Sequence, residues 1–248
     1  MDIKGVLFDK DGTLLEFHQM WISVSQSVVG VLLARYSTPA MASDESLLAA
    51  IGVYGDRVDN RGLLASNPVE DIALTWFEML MPGCSKTDFI DDVKALFNQT
   101  VKENPGLIKS LPGIEAVLIT LKQCGLKLGI ATADSKAATL YSLEQAGLLD
   151  YFDFIGYSDG DIEPKPAPDL MEAFCGTCGL IARQVVMFGD TVSDMKFGQN
   201  AGAISIGVLT GTATHAELAP HARMVISSVA DFTPDLLDRM RRSPTTTQ

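Results

Sequence analysis

The sequence lacks the features that define several large protein classes. Its longest apolar run, around Val28 to Ala34, is far shorter than the roughly 20 residues that cross a bilayer, so no membrane association is expected. Asp2, Lys4 and Asp9 interrupt the start of the chain, and no secretory leader is expected there. Basic residues are scarce: 19 lysines and arginines against 31 acids give a formal net charge of −12. Apart from Arg239, Arg241 and Arg242 there is no basic cluster, and nucleic acid is not an expected partner. Cysteine is scarce too. Cys84, Cys124, Cys175 and Cys178 fit a reduced, cytoplasmic protein better than a disulfide scaffold. Cys175-Gly-Thr-Cys178 has no second pair or histidines to make a zinc site, and it falls where a helix from Asp169 ends. Redox thiols sit at helix N-termini, so a structural role is expected. The sequence sets no oligomeric state.

What is present is a well-packed composition, 47% hydrophobic, in a chain of 248 residues, enough for one core domain and an insertion. The stretch Val6-Leu7-Phe8-Asp9-Lys10-Asp11-Gly12-Thr13-Leu14 stands out. Ile3 to Phe8 reads as a short buried strand that delivers Asp9 and Asp11 into a Gly12-Thr13 turn. Two carboxylates so close repel unless a proton or cation separates them, which makes a divalent metal the first inference. A calcium loop of the EF-hand type needs a third acidic position before its glycine, and Gly12 comes too early.

From Phe17 to Lys109 no convincing strand is visible. Helical periods are: Trp21, Val24, Val28 and Leu32 share one face, as do Val69, Ile72, Ala73, Trp76 and Leu80, and then Phe89, Val93, Leu96, Phe97 and Val101. The expected organisation is an α/β core over 1–16 and 110–248, a helical cap domain over 17–109, and a flexible tail over 243–248. Within the core, strands are expected at 126–131, 153–156, 184–188, 203–208 and, more weakly, 224–227, separated by helices. Such alternation implies right-handed crossovers and a Rossmann-like parallel sheet covered on both faces.

The polar signals then converge. Asp9 and Asp11 follow the first strand, Thr132 the second, and Gly189-Asp190 with Asp194 the strand at Val186, while Lys165 lies in the loop after the strand near Phe154. Parallel strands bring all of these to one sheet edge. Singly, each has a plain explanation: a strand-end hydroxyl, a solvated loop lysine, a helix N-cap at Asp190. Together they supply a reaction. One carboxylate can attack phosphorus, a second can protonate the leaving oxygen and later deprotonate water, and a hydroxyl, amides and an ammonium can hold the phosphoryl oxygens. A hard dication such as Mg²⁺ lets four acids share the pocket.

Asp9-x-Asp11-Gly12-Thr13, Thr132, Lys165-Pro166-x-Pro168-Asp169 and Gly189-Asp190-x-x-x-Asp194 resemble the four motifs of the haloacid dehalogenase-like (HAD) superfamily, in its phosphoglycolate phosphatase-like subgroup. The resemblance implies a HAD-like core with an inserted α-helical cap. It also implies a phosphatase that hydrolyses a small phosphorylated metabolite through an aspartyl-phosphate. Asp9 would be nucleophile and metal ligand; Asp11 general acid/base, with its carbonyl on the metal. Thr132 and the amide of Ala133 would bind phosphate, Lys165 would steady Asp9 and the phosphate, and Asp190 with Asp194 would complete the Mg²⁺ site.

Departures from the pattern are Ala133 where Asn or Ser is usual, Asp134 after it, and Lys10 in place of an apolar residue between the acids. Lys10, Arg57 and Arg61 are candidate contacts for an anionic substrate group. Dehalogenases and phosphonate hydrolases of this type generally lack an acid matching Asp11. A sugar-phosphate mutase keeps both acids and is the enzymatic alternative, and a non-catalytic binding module on the same fold is the other.

Overall fold

The computed structural model describes residues 2–36, 42–59, 61–158 and 162–242. The tail expected over 243–248 lies outside them, as do Asp159 to Asp161 of the loop leading to Lys165. Two compact units emerge, Met1–Glu16 with Lys109–Gln248, and Phe17–Ile108.

The chain begins with β1 (Gly5–Phe8), buried at all its residues. Next come α1 (His18–Arg35), α2 (Asp44–Ala50), the short strands β2 (Val53–Tyr54) and β3 (Arg57–Val58), then α3 (Leu63–Ser66), α4 (Val69–Leu80) and α5 (Lys86–Glu103). Ser43 and Ser85 start α2 and α5 by accepting the Ser46 and Asp88 amides at 3.2 and 3.1 Å. Trp21, Val24, Val28 and Leu32 of this unit are all buried. Its centre is Trp76, which stacks on Phe97 at 5.9 Å and donates its indole N–H to the Leu47 carbonyl at 2.9 Å. The β2–β3 hairpin corrects the expectation of a strand-free insertion. Two-residue strands are too short to show a period of two, and the Gly55-Asp56 turn is the signal that marks them.

The other unit resumes with α6 (Ile114–Gln123), β4 (Lys127–Ala131), α7 (Lys136–Gln145), β5 (Phe154–Gly156) and α8 (Asp169–Cys178). It ends with β6 (Val185–Gly189), α9 (Val192–Ala201), β7 (Ile204–Val208), α10 (His215–Leu218), β8 (Met224–Ile226) and α11 (Pro234–Arg242). Among the described residues the sheet has six parallel strands in the order β5-β4-β1-β6-β7-β8. The chain runs outward from β1 through β4 to β5, then crosses over and runs outward again through β6, β7 and β8. β1 therefore stands where the strand order reverses, the position at which open α/β sheets form a ligand crevice.

Apolar contacts cover both faces. Leu170, Met171 and Phe174 of α8 and Phe197 of α9 pack with Leu7, Val185 and Met187 on one side. On the other, Phe8 stacks on Phe188 at 5.4 Å, and Phe188 meets Phe232 edge-on at 4.9 Å. Truncating a buried ring of this kind to alanine costs roughly 3–5 kcal/mol. That rigidity matters for the site, because Phe8 pairs in register with both Ile130 and Phe188. Asp9 consequently leaves the sheet beside Ala131 and Gly189, with Thr132 and Asp190 one residue further along the neighbouring strands. Cys175 and Cys178 close the last turn of α8 before Gly179, with both thiol pKa values raised by burial, as befits structural cysteines. No helix among the described residues is long and apolar enough to cross a membrane.

Candidate active site

Asp9 emerges directly from β1, its amide donating to the Phe188 carbonyl at 2.8 Å. Asp190 follows β6, and Thr191 caps α9 by accepting the Asp194 amide at 3.1 Å. Asp194 returns the bond: its Oδ2 accepts the Thr191 amide at 3.0 Å and hydroxyl at 2.6 Å. The N-cap is thus Thr191 and not Asp190, which leaves the Asp190 carboxylate for the site. Carboxylate oxygens of Asp9, Asp190 and Asp194, all buried, lie within 4.8 Å of one another. Lys165 stands among them, its Nζ 2.6 Å from Asp9 Oδ1 and 2.6 Å from Asp194 Oδ1.

The electrostatics follow from that crowding. Burial, with Asp194 and Asp11 nearby, pushes the Asp9 carboxyl up to about 7 against the pull of Lys165. Asp190 is raised well above the ordinary carboxylate range, first by burial and then by Asp9 and Asp194, while the Thr212 amide opposes the shift. Burial works against the charge of Lys165, but Asp194 and Asp9 more than offset it and its pKa rises. Three buried acids around one ammonium are a donor set of hard oxygens with excess negative charge, which fits a hard dication.

Asp11 stands outside that cluster of carboxylates. Its Oδ2 lies 2.5 Å from Nζ of Lys10, which also lies 3.0 Å from Asp134 Oδ2. Lys10 is fully enclosed, at 0% exposure, and therefore no surface contact for a substrate. Arg57 and Arg61, the other candidates, are exposed in the inserted unit. Thr132 is buried at the end of β4, where its hydroxyl accepts the Asp134 amide at 3.2 Å and its carbonyl accepts the Ser158 hydroxyl at 3.0 Å. Ala133 is half-buried beside it.

A further loop belongs to the same edge and was not foreseen. After β7, Thr210 donates its hydroxyl to the Gly12 carbonyl at 2.6 Å, and the Thr212 amide donates to Asp190 Oδ2 at 2.9 Å. Between them Gly211 passes so close that a Cβ there would fall 1.9 Å from Asp190 Oδ2. Gly12, at φ +79°, also runs close to this carboxylate: a Cβ there would lie 2.8 Å from it. Thr210-Gly211-Thr212 obeys the strand-end rule that located the other residues, but it carries no acid to draw notice.

A parallel sheet with its acids, hydroxyl and lysine at the switch of strand order defines a class of hydrolase. The model of the haloacid dehalogenase-like hydrolases matches residues 3–202, and the chain belongs to that family. Over 224 residues it is 29% identical to a protein named "Probable phosphatase IndB" from Dickeya dadantii, covering 89% of this chain and 87% of that one. It is 27% identical to a phosphoglycolate phosphatase of Yersinia pseudotuberculosis, over 94% of this chain and 92% of the relative. In fold it is similar to the crystal structure of a predicted phosphoglycolate phosphatase from Haemophilus somnus, with a TM-score of 0.71 at 21% identity, covering 97% of this chain and 99% of that one.

Proposed function

We propose that this hydrolase is a Mg²⁺-dependent phosphatase of a small phosphorylated metabolite, working through an aspartyl-phosphate on Asp9. The observation that carries the reading is the bridge of Lys165 between Asp9 and Asp194 within a cluster of three buried acids. A lysine so placed holds one Asp9 oxygen and fixes the direction from which the other can attack.

In the first half-reaction an Asp9 oxygen bonds to phosphorus as the ester P–O bond breaks, and Asp11 gives its proton to the departing alkoxide. Thr132, the Ala133 amide and Lys165 hold the phosphoryl oxygens where charge gathers. In the second half, Asp11 takes a proton from water as the water oxygen attacks phosphorus. The bond to Asp9 breaks, inorganic phosphate leaves, Asp9 is restored as a carboxylate and Asp11 as the protonated acid. Asp9, Asp190 and Asp194, with the Asp11 carbonyl, would hold Mg²⁺, which when bound neutralises charge on the acids and the phosphoryl group.

The reading is tested by measuring phosphate release from a panel of phosphorylated metabolites with Mg²⁺, ranked by kcat/KM. Release by the wild type, lost in Asp9→Asn, is the expected outcome. Activity that requires a bisphosphate activator and releases little phosphate would move the assignment to a mutase. No turnover by the wild type on any ester would remove the enzymatic reading.

A further inference from the structure

We infer that Lys10 is a positioning residue, one that fixes the proton-transfer carboxylate Asp11 by tying it to Asp134 in the loop after β4. The inference rests on the proposed phosphatase reading, since it gives a task to the acid assigned there. Three observations carry it. The Lys10 side chain is wholly enclosed although it is a lysine, a residue almost never fully buried unless paired. Its Nζ faces two carboxylates, Asp11 at 2.5 Å and Asp134 at 3.0 Å. Asp134 is itself anchored: its amide donates to the Thr132 hydroxyl at 3.2 Å, and its carbonyl accepts the Ser158 amide at 3.0 Å.

The alternative reading is that Lys10 merely neutralises two acids. A buried ion pair adds little net stability over an apolar residue of the same shape, so neutralisation alone gives no reason for a lysine. Geometry offers one. Lys10 binds Asp11 through Oδ2, so proton exchange with the leaving group is assigned to the other oxygen. The same ammonium joins the loop after β1, which holds the acid, to the loop after β4, which holds Thr132. A change in either loop is transmitted to the other.

The test compares an alkyl phosphate, whose leaving oxygen needs a proton, with p-nitrophenyl phosphate, whose leaving group departs without one. Wild type, Lys10→Met, Asp134→Asn and the double variant are assayed as full chains with Mg²⁺, each checked for native melting. Lys10→Met is expected to lower kcat for the alkyl ester by about a hundredfold and for the aryl ester by less than about tenfold, with KM little changed. Asp134→Asn, which keeps shape and lies at a less enclosed position, should show the same split in smaller measure. The double variant should be no worse than Lys10→Met alone. Equal losses on both esters, additive effects, or unchanged kcat in a folded variant would overturn the positioning role while leaving the phosphatase reading intact. If the wild type hydrolyses neither ester, or Asp9→Asn remains fully active, the phosphatase reading fails and takes this role with it.

Discussion

Lys165 reaches Asp9 across 156 positions of sequence, placing its Nζ 2.6 Å from Asp9 Oδ1. The same nitrogen sits 2.6 Å from Asp194, so one ammonium links the end of β1 to the first turn of α9. Such a link orders the proposed nucleophile before substrate arrives. It also keeps two acids from repelling each other in an enclosed space.

Lys165→Met removes that link without removing volume. Taking one partner from a buried pair costs about 3–5 kcal/mol, so the variant should melt at clearly lower temperature, and Mg²⁺ should restore part of the loss. Its kcat should fall by about 10²–10³-fold, as for the loss of one preorganised donor to a developing oxyanion. Calorimetry and steady-state kinetics on the same preparation check both. A variant with unchanged melting and kcat would show that the bridge does not order the site.

The crowded acids give stability a sign with pH. Asp9 titrates at about 7 in the fold, and Asp190 is raised as well, both above an ordinary carboxylate. A carboxyl whose folded pKa exceeds its unfolded one binds more protons folded than unfolded, so its favourable contribution is complete below about pH 4 and lost as pH rises through about 7. Asp153, whose carboxyl is held low by the Leu128 amide and Lys127 in spite of burial, acts only below that window. In chelator the protein should therefore melt at lower temperature at about pH 8 than at about pH 5, and added Mg²⁺ should narrow the gap. Equal melting temperatures in chelator would contradict the assignment of charge.

Gly211 gives a sharper test of Asp190. A methyl group there would overlap the carboxylate, since its position is 1.9 Å from Oδ2. Gly211→Ala should raise the Mg²⁺ concentration for half-maximal activity by about 10–100-fold, the range typical of groups that orient a metal ligand. Thr212→Val keeps the backbone amide that donates to Asp190 and loses only a hydroxyl contact of 3.4 Å, so its effect should stay within a few-fold. A reversed ranking would show that the loop after β7 does not set the position of Asp190.

Much of this site was legible because its residues follow a local rule. An apolar run ending in an acid or hydroxyl needs no knowledge of the rest of the chain, and Asp9, Thr132 and Asp190 were all found that way. The alternation of strands and helices implies a parallel sheet with right-handed crossovers, which puts all three at one sheet edge. Pairings at a distance were not legible. Nothing local to Lys10 says that it turns inward to meet Asp134, because a lysine between two acids looks equally at home in solvent. The helix α2 and the β2–β3 hairpin escaped notice for another reason. Seven-residue and two-residue elements carry too few positions to establish a period; α2 is tied down instead by a tertiary contact, the Trp76 indole N–H on the Leu47 carbonyl.

The most direct measurement is to quench the wild type during turnover of a substrate labelled in its phosphoryl group and map the label by peptide mass spectrometry. The account predicts one phosphoryl group on Asp9, released by hydroxylamine, and none in an Asp9→Asn protein that has lost turnover. Sustained turnover with no label on Asp9, or undiminished activity in Asp9→Asn, would contradict it.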